Sequence, residues 1–348
     1  MSTAGLRGPR EASWLRNAWP LWALIIASAC LVLGALVLAG ASPGQALWDL
    51  VRSSLGSASA ISGTLREVTP LLLCGCAVYL GLRAGLFNIG VEGQFTVGAL
   101  AAAVIAIRVP GSPGVLAATA GGMAMGGLWA LPAAAIKAYR GGHEVITTIM
   151  LNSVAGLLTT ALVAGPLKPP GEQSPQTAQI PSASYLPDLV HIGQLHVGGG
   201  LVLGVLLAAC LGIWLNRSVA GYELRAVGAN PVAAQFAGID RRRIIMRSLV
   251  WSGAIGGLGG AVQVLSFQHY FLPGLSSGYG FDALGVALLA GSIPLALAPS
   301  SLLFGLLSQG GTAIQVNDQV PKGLISVIVG LIIVIAAAMR YRRAVTGE

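Results

Sequence analysis

Charge is scarce in this chain: Lys, Arg, Asp and Glu make up only 9% of it, aromatics 6%, and there are four cysteines and four histidines. Soluble domains carry roughly 25% charged residues, so a body wetted on every side is excluded. The histidines (His143, His191, His196, His269) and cysteines (Cys30, Cys74, Cys76, Cys210) show no metal-ligand spacing, and no metal or other cofactor is expected. On a helix Cys74 and Cys76 point about 200° apart, and all four cysteines read as core packing. No G-x-x-x-x-G-K-S/T phosphate loop occurs, so energy from ATP would have to come through another subunit. No basic run is interleaved with aromatics, which argues against a nucleic-acid partner despite the net charge of +8.

What the chain does have is apolar length. With 55% hydrophobic residues and a mean hydropathy of +0.77, it reads as an all-α, polytopic membrane protein. A crossing needs about 20 apolar residues. Ten such spans are predicted at 19–40, 61–82, 86–107, 114–136, 144–165, 199–216, 244–268, 282–298, 300–316 and 323–339. The first, with Ala39-Gly40-Ala41 after it, imitates a signal peptide but is too long for one and is read as an uncleaved anchor. Gly81/Gly85, Gly122/Gly126, Gly253/Gly257 and Gly256/Gly260 have the small-xxx-small spacing of close helix packing in lipid.

Lysine and arginine set the orientation. With the N-terminus inside, fifteen of the twenty basic residues fall on inner segments, which predicts both termini cytoplasmic. The division is then a tail at 1–18, a transmembrane domain at 19–340 and a tail at 341–348.

Two segments break the apolar pattern. The outer loop 166–198 is rich in proline and polar residues, and either connects or receives a partner. The inner loop 217–243 is more organised. Asn230 is a good N-cap, Pro231 suits the first helical position, and Gly238 can end a helix left-handed, so the spacing predicts a short helix over 231–237. Its small residues Ala233, Ala234 and Ala237 suit docking into a groove of another protein, and Ala234→Arg is expected to break that docking. The alternative is a connector whose arginines merely obey the charge rule.

The third span is interrupted by Asn88, Glu92 and Gln94. A carboxylate in hydrocarbon persists only where it faces a cavity, a partner or a pathway. Asn88 and Glu92, four residues apart, share a helical face with Phe95 one turn further on, while Gln94 projects elsewhere. Asn152, Gln263, Phe267 and Asp282 are further candidates for a cavity wall, each with a structural interhelical alternative. Gly274-Leu275-Ser276-Ser277-Gly278 matches a nucleophile elbow, but between membrane helices the motif lacks the strand-to-helix turn it needs, and no enzyme activity is expected.

Three segments in order, GLRAGLFNIGVEGQFTVGALAA from Gly81, HEVITTIMLN from His143 and RAVGANPVAAQFAGI from Arg225, resemble permease subunits of bacterial ABC importers in the ribose and branched-chain amino-acid permease family. The nearer likeness is to the nucleoside branch that works with a basic membrane lipoprotein. The resemblance implies an inverted-repeat fold, the second to fifth spans pairing with the seventh to tenth. It implies that the short inner helix is the coupling helix, shaped by Gly228, Asn230, Pro231, Ala234 and Gly238, with Arg225 and Arg241 as electrostatic contacts. It also implies the partners: a cytoplasmic ABC ATPase with two fused cassettes, a second and different permease chain, an extracytoplasmic solute-binding lipoprotein, and membrane lipid of the bacterial cytoplasmic membrane. The solute would be a nucleoside, with ribose or another simple sugar as the alternative. An ion-coupled secondary transporter is the alternative from another class. His143 departs from the asparagine usual before the Glu-Val-Ile segment, and is read as an interfacial residue.

Overall fold

The computed structural model describes residues 42–317 continuously, with isolated positions on either side. Apart from such isolated positions, Cys30 among them, the first and tenth predicted spans and both tails lie outside the described residues. Among the described residues, six helices are long and apolar enough to cross a membrane. They are α2 (Ala58–Arg83), α3 (Val91–Arg108), α4 (Ser112–Arg140), α5 (Glu144–Ala164), α6 (Gly199–Arg217) and α9 (Arg241–Gln263), the last prolonged by a π turn at Val264–Gln268. Shorter elements are α1 (Pro43–Leu55), α7 (Val219–Ala229), α8 (Pro231–Phe236) and α10 (Tyr279–Ala290), and α11 (Leu297–Asn317) completes the described helices. The all-α polytopic reading holds, with one small addition.

That addition is an antiparallel hairpin, β1 (Asp188–Ile192) with β2 (Leu195–Gly198), turning at Gly193 with φ of 60°. It lies in the long loop read above as connector or receptor. The loop is tied to the body: the N–H groups of Thr177, Ile180 and Leu186 donate to the carbonyls of Phe271, His269 and Leu265, and Ile180 is fully buried.

Helix α9 is the centre of the bundle, and glycine is the reason. Gly253, Gly257 and Gly260 lie where α4 and α3 cross it, and a Cβ at Gly257 would meet the carbonyl oxygen of Gly122 and the Cα of Gly126. The pairs Gly122/Gly126 and Gly253/Gly257 therefore face each other, as their spacing predicts, and allow backbones to touch. The pair Gly81/Gly85 does not act in this way. Gly85, at φ of 73°, is already in the turn beyond α2 and sits against Gly228. Of the cysteines, Cys74 and Cys76 pack in the core, whereas Cys30 and Cys210 are exposed, so core packing describes only half of the set.

Two boundaries and one helix differ from the sequence reading. The third span does not begin at 86, because residues 84–90 form a turn and α3 starts at Val91. The eighth and ninth spans separate at Gly291, which has φ of 63°, rather than at Pro299 and Ser300. Pro299 is housed in the first turn of α11, where its missing N–H costs nothing. Helix α1 was not foreseen at all. Ser42 caps it by accepting from the Gln45 N–H, and it packs Ala46 and Ser54 inward while exposing Leu47, Trp48, Val51 and Leu55.

Candidate functional site

The 84–90 turn carries the unusual polar cluster into the bundle. Asn88 is buried, and its amide nitrogen donates to Gln94 Oε1 at 2.9 Å and to Ser252 Oγ, midway along α9, at 2.8 Å. Gln94 returns a bond to Asn88 Oδ1 at 3.2 Å. Because α3 begins after Asn88, that residue and Glu92 share no helical face, and Gln94, expected to project elsewhere, is Asn88's partner. Asn152 of α5 locks the same turn, accepting from the Gly93 N–H and donating to the Ile89 carbonyl, both at 2.9 Å. Phe95 is fully buried, with its ring centroid 5.9 Å from that of Tyr279.

Glu92 stands where two helices begin. It is in the first turn of α3, and its carboxylate accepts from the Ser276 hydroxyl and, at 2.8 Å, from the Gly280 N–H in the first turn of α10. Both helix N-termini present partial positive charge, so a carboxylate there is held without a cationic side chain. Gly280 is required by the closeness of this junction, since a Cβ would collide with the Glu92 backbone. Ser276, the would-be nucleophile, is thus a hydrogen-bond donor to Glu92.

Beside this junction lies a cavity of about 1030 Å³, walled by α2, the hairpin, the end of α9 and α11. Arg66, Glu67, Gln263, Ser266, Phe267, His269, Tyr279 and Gln309 line it, with Asp188 and His196 at the hairpin. Arg66 lies over the Phe267 ring at 5.4 Å. Glu67 Oε2 accepts from Tyr279 at 3.1 Å and from Ser308 at 2.9 Å. The Gln263 amide oxygen, the Ser266 hydroxyl and His269 Nδ1 are buried without a protein partner, which leaves polar groups free for a solute or water. Burial and the neighbouring Arg66 hold the His269 imidazole below its usual range, with Asp188 acting against them. Its ring stacks on Tyr185 with centroids 3.5 Å apart. The π turn aims Phe267 and His269 here, a common use of such turns.

Of the residues singled out from sequence, Gln263 and Phe267 line the cavity. Asn88, Glu92, Phe95 and Asn152 lie behind it, fixing the start of α3. Sequence reasoning missed Arg66, Glu67 and Gln309. The signal was available for the first two, since adjacent charges inside an apolar run are as unusual as Glu92.

On the opposite face, Asn230 Oδ1 accepts from the N–H groups of Val232 and Ala233 at 3.1 and 3.0 Å and starts α8, and Gly238 at φ of 84° follows its end. Ala234 is 4% exposed and packs into the chain's own core, whereas Phe236 is 90% and Val232 61% exposed. Ala234 therefore seats the helix, and its outward face is Val232 and Phe236. Arg241 is exposed in the first turn of α9, and Arg225 is half-buried with an unpartnered Nε. Gly228 lies against the Arg83 carbonyl and Gly85, so α7 touches the turn that leads to Asn88 and Glu92. His143 is exposed and makes no capping bond, while Glu144 beside it pairs with Lys137 at 2.7 Å.

A helical bundle with a polar cavity on one face and a capped, apolar-tipped knob on the other is a membrane permease. The family model for the permease component of the branched-chain amino acid transport system matches residues 60–337, and the chain belongs to that family. It is 34% identical over 342 residues to the guanosine ABC transporter permease protein NupP of Bacillus subtilis (strain 168), covering 94% of this chain and 95% of that one. It is 32% identical to the glucose ABC transporter permease protein TsgB13 of Haloferax volcanii, covering 92% and 87% of the two chains. It is 30% identical to the nucleoside ABC transporter permease protein NupB of Lactococcus lactis subsp. cremoris (strain MG1363), covering 87% and 86%. No solved structure matches significantly.

Proposed function

We propose that this chain is one of two permease subunits of an ABC importer that carries nucleosides across the bacterial cytoplasmic membrane. The observation that carries the reading is the cavity, in which an aromatic face, a guanidinium, a carboxylate and unpartnered amide and hydroxyl groups converge. A base needs an apolar or aromatic surface and a ribose needs donors and acceptors. Phe267 with Arg66 serves the first need, and Gln263, Ser266, Glu67 and Gln309 serve the second. The names of the relatives from Bacillus and Lactococcus support the same solute. A sugar is the second reading, favoured by the glucose permease relative.

The arginine distribution supports a cytoplasmic α8 and an outward hairpin, with both termini inside. A cytoplasmic ATPase, with two cassettes in one chain, docks on Val232 and Phe236, while Asn230, Pro231, Ala234 and Gly238 hold that helix in shape and Arg225 and Arg241 add charge. A binding lipoprotein delivers the solute to the hairpin face, and a second, different permease completes the pathway. The route from knob to cavity runs through Gly228 to the 84–90 turn, through Asn88, Asn152 and Phe95 to the start of α3, and across Glu92 to α10 and Tyr279. Differential contacts of the ATPase with the two states of this route supply the switching free energy.

The test is uptake of labelled guanosine by cells in which this transporter is the sole importer, with and without a functional ATPase phosphate loop in the partner. Saturable uptake that requires ATP hydrolysis is expected. ATP-dependent glucose uptake without guanosine uptake selects the sugar reading, and uptake that persists without the ATPase overturns the ABC reading.

A further inference from the structure

A second, apolar groove of about 440 Å³ lies between α6 and α9, floored by Leu80 of α2 and roofed by Leu224 of α7. Leu211 and Trp214 of α6 and Trp251 of α9 form its sides, and Arg247 stands on its wall. The neighbouring Ser248 hydroxyl is spent on the Ile244 carbonyl. Arg247 is exposed and has no ion-pair partner among the described residues. Trp214 and Trp251 are partly exposed, and tryptophan favours the depth of the lipid headgroups.

We infer that this groove is a binding site for an anionic phospholipid, one acyl chain lying between α6 and α9 and the headgroup phosphate paired with Arg247. Three features select that occupant. The groove belongs to helices that cross a bilayer, so hydrocarbon is what reaches it, and an apolar void left unfilled would forfeit dispersion contacts along its whole lining. Its cation is uncompensated and stands one turn from Arg243, and although Arg243 is paired with Asp240 at 3.9 Å, the exposed Arg241 and Arg242 beside it leave the local field positive, which favours a negative headgroup over a zwitterionic one. The tryptophans bracket the depth at which chain gives way to headgroup. The occupant also bears on coupling, because the roof helix α7 carries Gly228, which presses on the turn beyond α2. A chain in the groove props α7 from the membrane side. The inference rests on the membrane assignment alone and not on which solute is carried.

The intact transporter, purified with its partner subunits in nanodiscs of equal phosphatidylglycerol and phosphatidylcholine, should retain phosphatidylglycerol preferentially when released for native mass spectrometry. Arg247→Gln should lower that preference about fivefold, the effect of one cation near a headgroup. Leu211→Trp, which fills the groove, should remove the retained lipid. An unchanged preference in Arg247→Gln, or an undiminished lipid signal in Leu211→Trp, overturns the site. A measurement on the unaltered protein covers the case of a variant that does not fold. Brominated-chain phosphatidylglycerol should quench tryptophan fluorescence more strongly than brominated phosphatidylcholine, and equal quenching by the two overturns the proposal.

Discussion

Replacing Glu92 tests whether the junction of α3 and α10 is held by its carboxylate. In Glu92→Gln the amide oxygen can still accept from the Gly280 N–H, and the Ser276 hydroxyl can turn to accept from the amide nitrogen, so both bonds survive without charge. The loss is the difference between charge-assisted and neutral bonds together with the helix-terminus interaction, about 1–2 kcal/mol. Glu92→Leu keeps the bulk but strands a backbone N–H and a hydroxyl, each worth roughly 1–3 kcal/mol when unpaired, so about 3–5 kcal/mol is expected. The apparent melting temperature of the permease should fall by about 2 °C for Gln and by roughly 5 °C for Leu. If the junction also opens during transport, each 1.4 kcal/mol lost from the closed form multiplies the open population about tenfold. ATPase activity without solute or binding protein should then rise in the same order. A Leu variant that melts within about 1 °C of the parent, with unchanged basal ATPase, would refute the role given to Glu92.

Phe236→Asp should leave the permease in the membrane but cost about 2 kcal/mol or more of ATPase affinity, as removal of an exposed aromatic anchor from an interface does; co-purification of the two subunits measures it. Phe267→Leu should raise the half-saturating concentration of guanosine by roughly tenfold with maximal uptake little changed, read from initial rates, because it removes a stacking surface worth about 1–3 kcal/mol per base. Gly257→Leu should prevent stable assembly, since its side chain has only the backbones of Gly122 and Gly126 to enter, and size-exclusion chromatography in detergent shows the loss. His269 is held neutral in the folded chain, so its contribution is present above the ordinary histidine range near pH 6.5 and is lost as pH falls through and below it. Thermal stability should decline on acidification, and His269→Asn, which tolerates the left-handed backbone at φ of 59°, should flatten that decline.

What the sequence made legible was whatever rests on local chemistry. Asn230, Pro231 and Gly238 mark α8 because capping and a left-handed end are properties of a few adjacent residues. The spans are legible because a bilayer demands a minimum apolar length. Gly122/Gly126 and Gly253/Gly257 announced close packing, though only the structure shows that they face one another. The wall of the cavity was poorly legible because it combines side chains from four distant segments, and a polar residue in a span looks alike whether it bonds a neighbouring helix, as Asn152 does, or meets a cavity, as Gln263 does. The orientation of Ala234 was misjudged for a related reason. Helix 231–236 is too short for a periodic pattern to reveal which face is buried, so smallness suggested docking where it serves internal packing. Ala234→Arg would lose uptake by unseating α8 from its own body, and Phe236→Asp is the substitution that distinguishes docking from folding.

The route proposed from α8 to the cavity consists largely of backbone lying on backbone. Gly228 meets the Arg83 carbonyl, and Gly280 meets the main chain of Glu92. Side chains can change rotamer and absorb a small movement of their helix, but two main chains in contact cannot, so displacement of one is passed to the other. This explains why glycine occupies both crossings and why the charged group at the second is a carboxylate shared between two helix ends. It also sets a discriminating expectation. Gly228→Ala and Gly280→Ala should each weaken transport more than they weaken folding, because a methyl inserted at either crossing separates the two parts of the route while leaving the glycine-rich core around α9 intact. Uptake normalised to the amount of assembled complex is the measurement, and a loss of uptake no greater than the loss of assembly would show that these contacts only pack the protein.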